Sequence, residues 1–359
     1  MEGMTIDFGN PRNVKFSDMI GEHTFIPLES SDSSLVGTIG QIEIFEDRIY
    51  LLDNEKTNAI LVFSSQGKFL TKLEAQGNGP GEFISPHAFK LSPKGYLYVL
   101  DRTINKLITY RLADLSFIEE IKLPYPSPLS FAVMDTQDWF IYYYPIRERS
   151  DLGKKQIVIA NKKGEVIHTL YEGQASGKIL HGNPDNIYSY DNEFRIYPYF
   201  TNRIYRIQND SVSPYYNLYW GKYKMPDESL FEKAKDSNTI MKEILMGDKD
   251  WIRLLYIYET KNALWVKYYI KRDFYLACWD KLTQETHNVK AERIIDDLGW
   301  GTPFPLPVGI YNQQLIGIIY PYDIVPEKVK EETLRGLLKH ITEESNPIIV
   351  LYKPSKIIS

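Results

Sequence analysis

Hydrophobic and polar positions alternate along most of this chain in short runs, broken by Gly, Asn, Asp and Pro. Alternation with a period of two predicts half-buried strands, and the breaks predict turns. Two stretches say nearly the same thing. Residues 48–70, RIYLLDNEKTNAILVFSSQGKFL, align with residues 96–118, YLYVLDRTINKLITYRLADLSFI. Tyr50 then falls on Tyr98, Asp53 on Asp101, Asn58 on Asn105, Phe63 on Tyr110 and Phe69 on Phe117. A unit of about 47 residues written in short strands is the mark of a radially repeated β-fold.

Each unit predicts four strands, a to d. In the second unit they fall at 86–92, 95–101, 106–112 and 116–123, with turns such as Pro93-Lys94-Gly95 between them. The third unit runs from Leu129 to Gly173, with WFIYYYPI (139–146) as strand b and residues 156–170 as c and d. In the fourth, Thr201-Asn202-Arg203-Ile204 repeats Thr57-Asn58-Ala59-Ile60 three periods later. LLYIYET, ALWVKYYI and FYLACWDKL make the fifth; LPVGIYN, LIGIIYPYD and PIIVLYK make the sixth. Residues 40–353, less two insertions of about 20 residues each, hold nearly six units, within the usual range of propellers.

The expected fold is therefore all-β, a six-bladed β-propeller of four-stranded antiparallel blades. Residues 1–21 form an N-terminal extension and residues 22–359 a single domain. The sixth unit stops after strand c. HTFIPLE (23–29) is expected to supply its fourth strand and leave no open sheet edge.

The insertions, 226–248 and 326–346, each begin with Pro, carry an acidic first turn and space their apolar residues helically, so both predict helices. The first is a d–a connection and the second a b–c connection. In an up-and-down blade these two kinds share one face, here called the top. The glycine-rich loop GNGPGEF (77–83) is a d–a connection as well. In the second insertion Val329, Leu334, Leu337, Leu338 and Ile341 form one apolar stripe, expected to pack down on the ring.

FIPLE (25–29), DRIYLLD (47–53), GNGPGEF (77–83) and NPIIVLYK (346–353) together resemble the six-bladed β-propeller family of bacterial exported lipoproteins, related to NHL-repeat propellers. The resemblance spans essentially the whole chain. It implies a protein of the periplasm or outer cell envelope, lipid-anchored in its full-length form, and it carries no catalytic residue. The start of the sequence shows no basic n-region, apolar h-region or lipobox cysteine. Either the export segment lies outside this sequence or the protein is not anchored.

Composition narrows the rest. The chain of 359 residues is 43% hydrophobic and 25% charged, with a net charge of −5, as expected of a folded globule. Its 42 basic residues are scattered, which argues against a nucleic-acid partner. No apolar run is long enough for a transmembrane helix. The one cysteine, Cys278, sits in the apolar run FYLACW and is expected to be a buried hydrophobe.

Candidate chemistry is sparse. GNGPGEF lacks GxxxxGK[ST] and is expected to shape a blade-to-blade crossover rather than hold phosphate. Asp53, Asp101 and Asp323 are expected to end b strands and bind the amides of their own turns rather than Ca²⁺. Of the six histidines, His23, His168, His287 and His340 suggest no site, and only His87 and His181 lie on top-face d–a segments, too few for zinc. No GxSxG occurs, and an acid–base carboxylate pair stays open. No catalytic residue, metal site or cofactor is assigned.

Aromatic residues concentrate in FIYYYP (140–145), YSYDNEFRIYPYF (188–200) and SPYYNLYWGKY (213–223), mostly as expected packing groups. Trp300 and Phe304, in the d–a loop GWGTPFP (299–305), are the candidate stacking platforms. His87, Arg147, His181, Trp300 and Phe304 make up the candidate ligand-binding set. The preferred function is a non-enzymatic propeller that binds a small molecule, a glycan or an envelope protein on its top face. The alternatives are a metal-dependent lactonase- or lyase-like enzyme at the mouth of the central channel, and a structural subunit of an envelope assembly.

Overall fold

The computed structural model describes residues 3–355 apart from 54–55, 146–151, 153–154, 173–184, 209, 227–229, 231–238, 240–241 and 243–245. The chain is a six-bladed β-propeller. Blade one is Ile39–Phe45, Arg48–Asp53, Ala59–Ser64 and Phe69–Leu73; blade two is Pro86–Ser92, Tyr96–Asp101, Lys106–Arg111 and Phe117–Lys122. Blade three is Ser130–Met134, Trp139–Tyr143, Lys155–Asn161 and Val166–Glu172. Blade four is Ile187–Tyr190, Glu193–Ile196, Arg203–Gln208 and Ser211–Tyr219. Blade five is Ile252–Glu259, Ala263–Ile270, Asp273–Asp280 and Thr286–Lys290. Blade six is Gly309–Tyr311, Gln314–Ile319, Ile348–Pro354 and, out of chain order, Ile20–Pro27. The chain forms two compact units: Met1–Asn10, Gly77–Tyr256 and Tyr268–Asp273 in one, Pro11–Gln76, Ile257–Lys267 and Phe274–Ser359 in the other.

The closing strand is where the sequence puts it, three residues longer at its start. Ile348 lies opposite Pro27, Ile349 opposite Ile26 and Val350 opposite Phe25 in an antiparallel ladder. The motif residues hold this seam. Leu28 N–H donates to the Pro347 carbonyl at 3.2 Å and Glu29 N–H to Gly67 O at 2.8 Å. Glu29 Oε2 in turn accepts from Phe69 N–H at 3.1 Å. Gly67 has φ +83°, and a Cβ there would meet the Pro27 carbonyl oxygen at 2.0 Å, so only glycine fits. Buried Asn346 accepts from Val36 N–H at 2.8 Å and donates to the Glu29 and Ser34 carbonyls at 2.6 and 2.7 Å. A strand edge that would otherwise be open is thereby paired and bolted.

The internal repeat survives in detail. The third and fourth strands slip register between Val62 and Phe63 in blade one and between Thr109 and Tyr110 in blade two. The aligned ring pairs, Phe63 on Phe69 and Tyr110 on Phe117, stand edge-on at 5.6 and 6.4 Å, both at 69°. Asn58 and Asn105 both take positive φ, 48° and 54°. Asp101, fully buried, accepts from the Thr103 and Ile104 amides of its own turn and from Ile84 and Ser85 of the incoming crossover. Asp53 does the same with Lys56 and Gly37. These carboxylates serve backbone amides, as expected. Asp323 departs from the pattern: it lies beyond its strand in a 3-10 turn, Pro321–Asp323, and is exposed.

GNGPGEF is a crossover braced by carboxylates. Glu82 accepts from Gly79 N–H at 2.8 Å, Glu120 from Gly81 N–H at 3.1 Å, and Tyr110 donates to the Gly81 carbonyl at 2.8 Å.

Blade three shows the two-residue period of the core. Tyr142, Val158 and Ala160 pack with Ala88, Tyr98 and Leu100 of blade two. The alternate residues Ile141, Tyr143, Ile157 and Ile159 pack with Ile187 and Ile196 of blade four. The N-terminal residues are tied in as well. Met4–Asp7 pairs in parallel with Tyr216–Tyr219 as a fifth strand of blade four, and Val14–Lys15 pairs with Ile294–Ile295.

The two helical insertions fare differently. The helix expected over 226–248 falls largely outside the described residues. The one expected over 326–346 is shorter: a 3-10 turn at Pro326–Lys328 and an α-helix at Glu332–Leu337. The helix starts late because the amides of Lys330 and Glu331 are taken by the Gly299 carbonyl, at 2.7 and 3.0 Å. Of the five-residue stripe, Val329 and Leu334 are buried, while Leu337, Leu338 and Ile341 are only partly covered. The segment docks on the 299–301 loop and, through its helix, on the closing strand.

The stripe is thus energetically uneven. Leu334→Ala should cost about 2–5 kcal/mol, the usual range for a buried leucine, while Leu337→Ala should cost under about 1 kcal/mol. Denaturant melts of the two variants check this. Equal losses would mean that the helix is seated differently.

Candidate functional site

A concavity among the described residues lies at blade four, on the side that carries its b–c and d–a connections. It holds about 780 Å³. Its floor and walls come from the end of blade three's outer strand (Tyr171, Glu172), the b–c turn of blade four (Phe200 to Arg203, with Tyr205), and the segment leaving blade four from Leu218 to Pro226.

Each wall is held in place. Leu218 N–H donates to the Asn202 carbonyl at 2.7 Å, joining the outgoing strand to the b–c turn. Phe8 N–H donates to Tyr219 O at 3.0 Å, continuing the N-terminal strand. The Phe8 ring stacks on Trp220 at 4.9 Å and 25°. Gly221, at φ +60°, lets the turn pass against Gly9 and Asn10, where a Cβ would meet atoms at 3.0 to 3.1 Å. Trp220 is buried, and its indole N–H has no hydrogen-bond partner among the described residues.

The rings that line the groove differ in exposure. Tyr219 is 54% exposed, while Tyr171, Phe200, Tyr205 and Tyr223 are half-buried. Tyr171 and Tyr205 stand edge-to-face at 4.9 Å. Burial first, then the neighbouring Tyr205 hydroxyl, pushes the Tyr171 phenol well above its ordinary range, so it stays a neutral donor. Tyr171 and Phe200 both adopt left-handed backbone, with φ +59° and +56°. That conformation is costly for bulky side chains, and such strain concentrates at ligand sites. Thr201, Asn202, Arg203, Lys224 and Glu172 belong to the same lining. Flat apolar faces together with donors and acceptors suit recognition of a ligand with both kinds of surface.

Of the residues singled out from sequence, the described ones, His87, Trp300 and Phe304, do not line this groove. Arg147 and His181 lie outside the described residues. Trp300 and Phe304 do not stand at a loop tip: they are buried, 0% and 6% exposed, in a cluster with Phe16, His23, Phe25 and Tyr352. Trp300 is held there because Asp296 accepts from the amides of Trp300 and Gly301, at 3.0 and 2.7 Å. Those rings pack the interior instead of offering faces to solvent.

His87 is not a free surface group either. Its Nε2 lies 3.0 Å from the Leu129 carbonyl and 3.1 Å from an Arg102 guanidinium nitrogen. Burial, and then the Arg102 charge, lowers its pKa to about 4. Among the described residues no three His, Cys, Asp or Glu side chains gather as metal ligands would, and no helix is long and apolar enough to cross a membrane.

Of the groove rings, Phe200, Tyr219, Trp220 and Tyr223 lie in the aromatic stretches at 188–200 and 213–223, where alternation assigns them to packing, while Tyr171 and Tyr205 lie outside those stretches. What separates Tyr219 and Tyr223 from the rest is that both lie past the ladder to blade four's third strand, which ends at Asn217: Tyr219 closes the Ser211–Tyr219 strand and Tyr223 follows it.

A family model described as 6-bladed beta-propeller (DUF5128) matches residues 2–318, and the chain belongs to that family. A crystal structure of a Bacteroides fragilis protein, named "Putative exported protein", is 23% identical, covers 98% of this chain and 100% of its own, and superposes with a TM-score of 0.88. The WD40 repeats of RRP9 match at 9% identity over 95% of this chain and 99% of theirs, with a TM-score of 0.47. At such identities the likeness to the first structure concerns the fold.

The His87 environment makes a pH prediction. Between about pH 6.5 and pH 4 the unfolded chain binds a proton that the folded imidazole refuses. This contribution leaves stability intact above about pH 6.5 and erodes it as pH falls toward 4, by at most about 1.4 kcal/mol per pH unit. His87→Asn should flatten that part of the curve relative to the native chain in urea melts across this range. Parallel curves would show that His87 titrates normally.

Proposed function

We propose that this chain is a non-enzymatic binding propeller of the bacterial cell envelope, taking its ligand in the blade-four groove. The observation that carries the reading is the groove itself, a concavity lined by half-exposed rings and hydrogen-bonding side chains. Rigid sheets that present such residues from their connections are the usual arrangement for binding sites.

The envelope location rests on two supports: the resemblance of FIPLE, DRIYLLD, GNGPGEF and NPIIVLYK to exported lipoprotein propellers, and the description of the B. fragilis neighbour. Lipid anchorage and kinship with NHL-repeat propellers belong to this proposal on the first support alone.

Tyr219 is the discriminating residue, because it is the most exposed ring of the groove and its loss should not disturb the core. A thermal-shift screen of chemically diverse small molecules, sugars and short peptides should yield compounds that raise the melting temperature by mass action. Their effect should fall by at least about tenfold in apparent affinity with Tyr219→Ala, while the unliganded melt stays unchanged. Hits indifferent to Tyr219→Ala, or no hits at all, would contradict the reading.

A further inference from the structure

We infer that the blade-four groove takes an acidic saccharide, a sugar chain carrying a carboxylate on at least one residue; this rests on the groove being the binding site. The inference starts from charge. Glu172, the acidic side chain of the lining, is already paired with Lys155 at 3.2 Å. Arg203 and Lys224, both exposed in the same groove, form no ion pair with any carboxylate among the described residues. Among the described residues the groove therefore presents two cations that no carboxylate pairs with, and an anionic ligand complements them.

The neighbouring groups say what kind of anion. A guanidinium fork matches the two oxygens of a carboxylate, and an ammonium on a flexible stem adds a second point charge. Next to them Tyr219 offers an open ring face. An aromatic face carries negative quadrupole potential and attracts the positively polarised C–H face of a pyranose. Exposed Asn202 places an amide, both donor and acceptor, where sugar hydroxyls need partners, while the Thr201 hydroxyl is engaged by the Pro198 and Arg203 backbone.

An acidic peptide would meet the same cations but asks for something else. Peptide side chains anchor in apolar pockets, and the aliphatic part of this lining is slight: Leu218 and Pro226 are buried, leaving Met225 half-covered. A ligand amphiphilic along its whole length fits the mixed lining better.

Calorimetric titration of the whole chain with trigalacturonate and with a heparin-derived uronate tetrasaccharide tests this, beside the methyl ester of trigalacturonate, neutral maltotriose and an aspartate-rich peptide. At least one uronate should bind, and esterification should weaken trigalacturonate, where it is the binder, by roughly tenfold or more. Arg203→Gln and Lys224→Gln should each weaken the uronate by about tenfold and leave neutral or esterified sugar unchanged, and added salt should weaken the uronate selectively. Both residues are exposed, so the variants should fold as the native chain does.

No uronate binding at millimolar concentration would overturn the inference. So would equal affinity for acid and ester, or binding of the peptide in place of the sugars. If neutral sugar or peptide binds and Tyr219→Ala abolishes it, the acidic-saccharide inference falls while the groove stands as the binding site. If Tyr219→Ala leaves every probe unaffected, the groove itself falls.

Discussion

The constraint on which this structure depends is that a sheet edge must be paired. A blade whose last strand is missing exposes a row of amides and carbonyls that no side chain can cover. This chain meets that constraint with its first residues. Ile20–Pro27 completes the blade begun by Gly309–Tyr311, and residues around it are its fastenings: Glu29 on Phe69, Gly67 against Pro27, Asn346 across the turn that precedes blade one. Two of the four motifs that made the chain resemble a family, FIPLE and NPIIVLYK, are seam chemistry, while GNGPGEF shapes a crossover and DRIYLLD a blade-one strand. They define a fold and leave function to the connections.

The same device, applied a second time, shapes the groove. Met4–Asp7 runs parallel to the outer strand of blade four and extends that strand's ladder to Tyr219. Beyond Tyr219 the chain turns on Gly221, with Trp220 fixed under Phe8. The rings at the groove are therefore carried on backbone tied on both sides, to the b–c turn through Leu218 and to the N-terminal strand through Tyr216–Tyr219. A binding surface on such a base loses little entropy when it meets a ligand. The strained backbones of Tyr171 and Phe200 fit this picture, since strain persists only where the surroundings over-determine it.

Much of the fold was legible because the repeat writes the same physics twice. Asp53 and Asp101, Asn58 and Asn105, Phe63–Phe69 and Tyr110–Phe117 occupy equivalent turns, bulges and ring pairs. The closing strand was legible because a sixth unit that stops after three strands demands a partner. The site was not. Trp300 and Phe304 look like loop-tip aromatics in sequence, but Asp296 folds their loop inward and an unforeseen short helix, Phe16–Met19, brings Phe16 to bury them. Tyr219 and Tyr223 look like packing residues because they continue an alternating run. Only the position at which the ladder ends exposes them, and that position is set by pairing with residues near the N-terminus, far away in sequence. The second insertion misled by length: an amphipathic stripe predicts a helix, but it cannot show that a distant glycine carbonyl will claim the amides of the first turn.

The central claim is that the blade-four groove is where this propeller meets its ligand. The measurement that tests it most directly is crystallographic: soaking crystals of the whole chain with a panel of small aromatic and pyranose-sized probes and locating every bound molecule. The account predicts that probes gather in the groove, against Tyr219 and beside Arg203, more often than at any other concavity. Probes that gather elsewhere and leave the groove empty, in crystals where no neighbouring molecule blocks it, would contradict it.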